Sequence, residues 1–587
     1  MKRQRFLLAL VGIWAIIYLI SAASPALLDD ADTVHAEAAR EMAASNNFVT
    51  LYANNIRYLE KAPMMYWLVA LSYKIFGVNE FASRLPIALG TLALILATFM
   101  VGSYLFDERT GFYAGLIIAT CVGIFLFTRA LWPDVILTLF LELAFYCFLR
   151  ALKNPESRWA YGIYFFGALA VLTKGLIGAA FPAIIIVTYL LITGQLRRLL
   201  ELKLVTGALL FFAVAAPWHL LAGFQNTGHK GFFWFYFINE HFLRYIGKRY
   251  PPDYDTVPKS LYFSLHLVWL FPWSFFLPLA LRNFPYRIRQ VNEEEKRRLF
   301  LWVWLVMIIL FFSFSTSQEY YTFPAYPAFA FLIAHAIAEA EAEWQLKNRF
   351  FKGSQIALAV FGILVFAAGV IAYLKTRAVE IQGDISTTLQ RNPEAYALSL
   401  GHILDLTPDS LAALHAPILG TAFAFLIGSL AALILRLKQQ HLASNLALGL
   451  MMAGFFFCAH TAFRAFEPYL SSKALAQAIN RVYKEGDKIV INGEYEGGSS
   501  LNFYTQKMVY ILNGRQANLE YGSHFPDAPQ IFLDDQKIAE LWREEKTIYL
   551  FTDALLLEKM KQALAAPVYT LAANGGKLIL TNREVQQ

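Results

Sequence analysis

Carboxylates stand where apolar stretches of the chain end. The segment Leu27-Leu28-Asp29-Asp30-Ala31-Asp32 follows the first apolar stretch, and Asp134 begins a later one. Charge is costly near hydrocarbon, so acids at these positions predict chemistry at the edge of a membrane. We expect Asp32 to lead as the base, because Asp29 and Asp30 are better placed as helix caps. Capping of a helix N-terminus is the structural alternative for the whole group, Asp134 included.

Cations beside aromatic residues form a second group of candidates. Arg57-Tyr58-Leu59-Glu60-Lys61 precedes an apolar aromatic run, an arrangement that suits a phosphate head group whose tail lies in lipid. The alternative is an interfacial helix whose lysine extends to water. Lys174 interrupts a long apolar stretch, where a lone lysine needs an anionic partner or ligand.

The segment Asn239-Glu240-His241-Phe242-Leu243-Arg244 adds further ionisable groups. Glu240 and Arg244 are spaced as an i, i+4 ion pair, which is the purely structural interpretation. His241 together with Glu60 would supply two ligands to a divalent, zinc-like metal, although two ligands of unknown separation are a weak metal signature.

Helices that cross a membrane must position these residues. The 587 residues are 57% hydrophobic and only 16% charged, and apolar runs of about 20 residues, long enough to cross a bilayer, recur along most of the chain. The fold class is therefore a polytopic α-helical membrane protein with about thirteen spans. The first span ends near Ala23, and the others are expected at 81–106, 111–131, 133–151, 159–174, 176–193, 204–223, 259–281, 299–315, 321–341, 355–374, 414–435 and 442–463.

Basic residues concentrate in short connections, which the positive-inside rule assigns to the cytoplasm. These connections contain Arg109; Arg150, Lys153 and Arg158; Arg197, Arg198 and Lys203; Arg287, Arg289, Lys296, Arg297 and Arg298; Lys347, Arg349 and Lys352; and Arg436 and Lys438. The N-terminus is then cytoplasmic, and the outside holds 24–80, 224–258, 375–413 and 464–587. The turns at Asp134, Lys174 and 315–321 lie outside as well, so the candidate residues converge on one outward face.

The tail differs in composition from the rest of the chain. Residues 1–463 are expected to form the transmembrane catalytic domain, with outward loops 24–80 and 224–258, and 464–587 a small periplasmic α/β domain. Short strands are expected at 488–492, 508–512, 547–551 and 577–581, with helices near 471–484, 535–545 and 553–564. Asn574-Gly575-Gly576 is a hairpin turn, and Gly497-Gly498-Ser499-Ser500 is interpreted as a turn rather than a phosphate loop.

Several classes of function are excluded by what the sequence lacks. It has no dinucleotide or Walker fingerprint, so no nucleotide cofactor is expected. It has no basic stripe with interleaved aromatics, which argues against nucleic acid. The three cysteines all lie in apolar runs, so neither a disulfide framework nor a CxxC zinc site is expected.

These motifs resemble the bacterial membrane glycosyltransferases of the GT-C fold, in the group of protein mannosyltransferases and aminoarabinose transferases. The matching pieces lie in order over roughly residues 1–340 and are specific only together. They are His35 to Met42, Arg57 to Pro63, Phe76 to Pro86, Thr173-Lys174-Gly175, Pro217-Trp218, Glu240 to Tyr245 and Phe271-Pro272-Trp273.

The resemblance implies roles for individual residues. Tyr58, Lys61, Lys174 and Arg244 would bind the phosphate of a polyprenyl carrier, and Glu60 with His241 would match a metal-binding pair of the aminoarabinose branch. Asp134 matches the family's second outside acid. The chain departs from the family at Ala31-Asp32, where the acidic pair is usually Asp-Glu, so either Asp30 or Asp32 inherits the lead role. Val34 replaces an arginine, and Gln318 replaces a lysine.

The resemblance further implies an inverting glycosyltransferase of the bacterial inner membrane. Its donor would be a sugar on polyprenyl phosphate such as undecaprenyl phosphate, and its acceptor a cell-envelope lipid or glycan such as lipid A. Transfer to Ser or Thr of a protein is the alternative acceptor chemistry. A flippase for lipid-linked sugars and a lipid-binding scaffold are the rivals from other classes, and the sequence names neither the sugar nor the acceptor.

Overall fold

A computed structural model describes residues 2–252, 257–285, 292–315, 318–343, 349–381, 383–391 and 401–585. Parts of the predicted outer segments 224–258 and 375–413 lie outside these ranges. So do Thr316 and Ser317 of a predicted turn, and Arg287, Arg289 and Lys347 of the basic connections.

Helices account for most of the first 470 residues. In chain order they are α1 (Lys2–Trp14), α2 (Ala31–Ser45), α3 (Met64–Phe76), α4 (Glu80–Leu105), α5 (Glu108–Thr120), α6 (Val122–Phe127), α7 (Asp134–Lys153), α8 (Trp159–Lys174), α9 (Ile177–Ile192), α10 (Leu204–Gln225), α11 (Gly231–Phe233), α12 (Lys259–Trp269), α13 (Leu277–Arg282), α14 (Glu293–Ser313), α15 (Tyr326–Ala342), α16 (Arg349–Thr376), α17 (His415–Leu437) and α18 (His441–Leu470).

The helices make a polytopic membrane protein. Helical structure occurs at every span predicted from the sequence. Within the described ranges, eight helices are long and apolar enough to cross a bilayer by length and composition, and the bent pair α12 and α13 would make a ninth. The count of about thirteen therefore exceeds the helices that meet these criteria. The difference lies in short helices such as α8 and α9, which have 16 residues each.

Polar side chains fix where several of these helices begin. Asn79 accepts a hydrogen bond from the backbone N–H of Ala82 and starts α4. Asp107 accepts from two N–H groups at the start of α5. Asn292 and Glu295 form a capping box at the start of α14. Each cap satisfies N–H groups that have no partner within the helix.

One end of the helical body is held by a buried ion-pair network. The Glu341 carboxylate pairs with the guanidinium groups of Arg436 and Arg109, accepts from Tyr113 and also accepts from the Asn445 amide at 3.0 Å. These residues come from α5, α15, α17 and α18, so two of the predicted basic connections, those with Arg109 and Arg436, meet here. We call this the network end.

Residues 471–585 form a separate small domain at the other end, which we call the C-terminal sheet domain. Its elements are α19 (Lys473–Val482), β3 (Lys488–Asn492), α20 (Ser499–Thr505), β4 (Val509–Leu512), α21 (Ala517–Glu520), β5 (Phe532–Leu533), α22 (Asp535–Leu541), β6 (Ile548–Asp553), α23 (Leu557–Leu564), β7 (Tyr569–Asn574) and β8 (Lys577–Thr581). The strand order is β5-β4-β3-β6-β8-β7, with the first four parallel and β8 antiparallel to both of its neighbours.

The C-terminal sheet domain packs on the loops that join the helices. The short strands β1 (Tyr52–Ala53) and β2 (Ile56–Arg57) form a hairpin whose turn residue Asn54 exchanges two hydrogen bonds of 2.8 Å with the backbone of Val509. Arg57 pairs with Asp527, and Lys473 with Glu80. The loop between α1 and α2, the hairpin and the domain therefore share one end of the molecule, the loop end.

Candidate functional site

A cavity of about 970 Å³ lies at the loop end. Its lining includes Asp30, Tyr58, Glu60, Lys61, Asp134, Lys174, His241 and Arg244, which are all of the predicted site residues except Asp32. These residues come from five separate segments of the chain. Aromatic residues, among them Tyr66, Trp132, Tyr320 and Tyr321, form much of the remaining wall. The cavity is thus large, largely apolar and supplied with ionisable groups, as expected of a ligand site.

Ion pairs fix the cations on one side of the cavity. Lys61 Nζ lies 2.9 Å from Glu60 Oε1. Arg244 Nη1 lies 3.2 Å from Glu240 Oε2. Arg249 bridges the two carboxylates, pairing with Glu60 and lying 2.6 Å from Glu240. Burial alone would raise the pKa of Glu60, but Lys61, Arg249 and Arg244 together hold it below its usual value. Glu60 therefore stays ionised and holds both cations in place.

A π-helical segment, Trp234–Leu243, carries Glu240 and His241 into the cavity wall. The wider turn of a π-helix often marks a functional position. Arg249 lies just beyond this segment, and the sequence reasoning missed it. Lys248-Arg249 sits in a predicted outer loop beside an aromatic run, the same kind of signal that singled out Lys61.

Lys174 and Asp134 form the opposite wall. Lys174 Nζ lies 2.5 Å from Asp134 Oδ1 and within 5.2 Å of the ring centres of Tyr320 and Tyr321. Asp134 is buried, and its Oδ2 has no hydrogen-bond partner. The predicted need of Lys174 for an anionic partner is met by Asp134. The unsatisfied Oδ2 is suited to accept a hydrogen bond from a bound ligand.

Four carboxylates line the cavity, and Asp30 is the one that has no ion-pair partner among the described residues. It precedes α2 with φ of 72° and ψ of −142°, an unfavourable backbone conformation for a residue with a Cβ, and its side chain does not cap the helix. Removal from water by the surrounding protein, and then the negative charges of Asp29 and Glu494, raise the pKa of Asp30 to about 6. The positive charge of Lys61 lowers it. These properties suit a general base near neutral pH.

Asp32 has a structural role instead. It is buried, and its Oδ1 accepts from the backbone N–H of Leu131 at 3.1 Å. Its Oδ2 accepts from the N–H of Leu28 and lies 3.3 Å from Arg84 Nη2. Asp32 does not line the cavity, whereas Asp30 does. Which of the two carboxylates leads stays a prediction, and the geometry favours Asp30.

Arg84 is the second residue that the sequence reasoning did not single out. Its guanidinium is buried and donates to the carbonyl groups of Pro25, Ala26 and Arg129 as well as to Asp32. It therefore fixes the turn that carries Asp29 and Asp30. An arginine near the start of the apolar helix α4 was the available signal.

His35 and Tyr58 complete the floor of the cavity beneath Asp30. His35 Nδ1 donates to the Leu131 carbonyl at 2.7 Å, and burial lowers the pKa of His35 to about 4. The ring is therefore neutral at neutral pH, with Nε2 as an acceptor. Tyr58 is buried, with its ring centre 6.2 Å from that of His35 and 6.5 Å from that of Tyr66.

The predicted metal pair does not fit a metal in this arrangement. His241 Nδ1 donates to the Tyr236 carbonyl at 2.6 Å, and Nε2 accepts from the Leu176 N–H at 3.1 Å. Both oxygens of Glu60 pair with cations. Among the described residues, one group of three has metal-ligand spacing, Glu294, His335 and Glu339. It lies near Phe106, where α4 ends away from the loop end, and Arg298 lies 3.6 Å from Glu339.

Comparisons with known proteins show which proteins the chain is similar to. The family model described as dolichyl-phosphate-mannose-protein mannosyltransferase matches residues 60–220. An undecaprenyl phosphate-alpha-4-amino-4-deoxy-L-arabinose arabinosyl transferase of Proteus mirabilis is 30% identical over 294 residues, 48% of this chain and 51% of the relative. The chain thus spans about half the length of the curated relatives that it first matches. One from Erwinia tasmaniensis is 26% identical over 545 residues, 91% of this chain and 90% of the relative.

The fold is that of a solved structure over nearly its whole length. ArnT from Cupriavidus metallidurans, crystallised with undecaprenyl phosphate, superposes with a TM-score of 0.79 at 20% identity, covering 98% of each chain. Its apo form gives a TM-score of 0.77. The chain therefore has the fold of ArnT, a polytopic helical body with a small C-terminal sheet domain.

Proposed function

We propose that this protein transfers a sugar from a polyprenyl phosphate to a cell-envelope acceptor. The donor carrier is undecaprenyl phosphate, as named for the relatives, and the acceptor is a lipid such as lipid A. The loop end faces the periplasm of a bacterial inner membrane, and the network end faces the cytoplasm. The observation that carries the proposal is the cavity that combines four cations with Asp30, a carboxylate that has no ion-pair partner in the described part of the chain.

The fixed cations of the cavity support phosphate binding. Lys61, Lys174, Arg244 and Arg249 are four cations, and Glu60, Asp134 and Glu240 are the three carboxylates that pair with them. Ionised Asp30 offsets the fourth positive charge, so the support comes from the placement of the cations and not from a net charge. The pairs also hold the cations in fixed positions, so the protein does not have to reorganise when negative charge develops on the leaving phosphate.

In the proposed reaction an acceptor oxygen attacks the anomeric carbon of the sugar. The bond from that carbon to the phosphate oxygen breaks, its electron pair leaves with the polyprenyl phosphate, and the configuration inverts. Lys61, Arg244 and Arg249 stabilise the leaving phosphate, with Lys174 on the opposite wall. If the acceptor is a hydroxyl, Asp30 takes its proton. If the acceptor is an ionised phosphate, it has no proton to lose, and Asp30 orients the sugar.

The test compares Asp30→Asn with Asp32→Asn in purified protein supplied with radiolabelled polyprenyl-phosphate sugar and lipid A. We expect Asp30→Asn to keep the wild-type melting temperature and to lose about a hundredfold or more in transfer to a hydroxyl. Asp32→Asn leaves the buried Arg84 without its charge partner, so we expect it to lower the melting temperature. An active Asp30→Asn variant would remove Asp30 as the base.

Two other functions are separated by the same assay. A flippase would move the labelled lipid across a vesicle membrane without transferring its sugar. A scaffold would bind the lipid but would neither move it nor transfer its sugar. The match to the mannosyltransferase family model favours a Ser/Thr peptide as the second acceptor to try. Transfer to the peptide but not to lipid A would replace the proposed acceptor.

We propose that the reaction needs no metal at Glu60 and His241. A metal there would have to displace Lys61 or Arg249 from Glu60 and the Leu176 amide from His241. Dialysis against EDTA is therefore expected to leave the transfer rate unchanged. Loss of activity that zinc restores in the wild type, but not in a His241→Ala variant, would contradict this expectation.

A further inference from the structure

The turn that carries Asp30 is fastened to the C-terminal sheet domain through the side chain of Asp29. Asp29 Oδ1 accepts from the backbone N–H of Ser500 at 2.8 Å. Asp29 Oδ2 accepts from the Ser472 hydroxyl at 2.7 Å and from Lys577 Nζ at 2.8 Å. Ser472 and Ser500 are fully buried. A carboxylate with three donors, one of them charged, is a strong attachment.

The backbone of the turn is fastened to the same domain. The N–H of Asp30 donates to the Glu496 carbonyl at 2.8 Å, and the N–H of Asp29 donates at the same distance to Leu470, the last residue of α18 before the domain. Ser499 Oγ lies 2.9 Å from the Asp30 nitrogen and 2.7 Å from Thr33 Oγ1. Ser499 and Ser500 thus hold the turn in place by hydrogen bonds. The glycine-rich sequence Gly497-Gly498-Ser499-Ser500 did not predict this role.

These contacts explain how Asp30 keeps an unfavourable backbone conformation. A positive φ at a residue with a Cβ persists only where the surroundings over-determine it. Arg84 holds the turn from the membrane side, and the C-terminal sheet domain holds it from the other. With its backbone held on both sides, Asp30 turns its side chain into the cavity instead of capping α2.

We infer that the C-terminal sheet domain positions the base, with Asp29, Ser499 and Lys577 as positioning residues. This inference rests on the proposed function of Asp30. None of the three lines the cavity. They act through the backbone of the turn, so their loss moves the Asp30 carboxylate relative to the bound sugar. A displacement of about 1 Å at a reacting group can cost about a hundredfold in rate.

The chain offers a matched pair of variants. Lys577→Met removes the contact from β8 to Asp29, and Lys488→Met removes an ion pair of similar length, 3.0 Å to Glu544, from β3 of the same sheet. We expect Lys577→Met and Ser499→Ala to lower kcat tenfold to a hundredfold with KM for the lipid donor unchanged. Lys577→Arg is expected to restore most of the rate, and Lys488→Met to keep the wild-type rate.

Amide hydrogen exchange supplies a readout that does not depend on activity. The N–H groups of Asp29 and Asp30 are expected to exchange at least tenfold faster in Lys577→Met than in the wild type or in Lys488→Met. Unchanged exchange and unchanged kcat in both Lys577→Met and Ser499→Ala would overturn the inference. Faster exchange in Lys577→Met, together with a wild type that transfers no sugar, would instead refute the proposed function while leaving the attachment established.

Discussion

Asp30 determines how the proposed reaction should depend on pH. Its pKa of about 6 is raised by the surrounding protein and by Asp29 and Glu494, with Glu496 also nearby, and is opposed by Lys61. Because a base acts only when ionised, transfer to a hydroxyl is expected to fall tenfold per pH unit below about 6. The pKa of Asp30 in the folded protein lies above its usual value, so ionisation of Asp30 lowers the free energy of unfolding as pH rises. A neutral Asn at this position should therefore not destabilise the fold.

The measurement is kcat against pH for the wild type and for Glu494→Gln, which removes a neighbouring charge and keeps the Asp29 attachment. Removing the neighbouring negative charge lowers the pKa of Asp30, so the acid limb is expected to move to lower pH. A limb that stays in place in the variant, or a wild-type rate independent of pH between 5 and 8, would show that another group limits the rate. Residue-scale chemistry is thus tested without disturbing the phosphate-binding cations.

At the scale of elements, the glycine that follows α8 packs directly against His241. Gly175 follows α8 with φ of 76°, and a Cβ on it would overlap the His241 imidazole. Gly175→Ala is therefore expected to displace that ring, to break its hydrogen bond from Leu176 and to lower both the melting temperature and the transfer rate, the latter about tenfold.

Gly194 provides the control. It also has a positive φ, 67°, but a Cβ there would meet nothing within 4 Å. Gly194→Ala should carry only the backbone cost of about 1–2 kcal/mol. Equal losses in both variants would mean that backbone strain, rather than the contact with His241, accounts for the effect of Gly175→Ala.

Sequence patterns predicted elements better than they predicted the contacts between elements. The strands at 488–492 and 577–581 were predicted with the bounds that the structure has, because alternation and the Asn574-Gly575-Gly576 turn are local signals. Within the C-terminal sheet domain, β5 and β7 were missed. β5 has only two residues, and β7 is exposed over half of its length. The sequence could not decide between Asp30 and Asp32, because partners more than 400 residues away hold the turn that carries them.

At the scale of the whole molecule, two ends with different chemistry imply a fixed orientation. Basic connections meet Glu341 at the network end, while the cavity and the C-terminal sheet domain share the loop end. The division between a transmembrane domain at 1–463 and a periplasmic domain at 464–587 stays a prediction. In the structure α18 runs on to Leu470, so the change from helix to sheet domain falls a few residues later.

Orientation can be measured with a membrane-impermeant thiol reagent. The native cysteines Cys121 and Cys147 are buried and Cys458 is partly so, which leaves room for added probes. Lys559→Cys, exposed in the C-terminal sheet domain, is expected to react in intact spheroplasts. Glu156→Cys, exposed between α7 and α8, should react only after lysis. The reverse pattern would place the cavity in the cytoplasm and contradict the proposed function.

The contact between Asp29 and Lys577 joins residues 548 positions apart. During synthesis the early helices enter the bilayer long before Lys577 has left the ribosome, and domains near the N-terminus fold first. Nascent or prematurely terminated chains would therefore hold a complete set of reactive side chains without the geometry to use them. Catalytic competence would arise only as β8 joins its sheet, so an unfinished chain would not consume the lipid carrier.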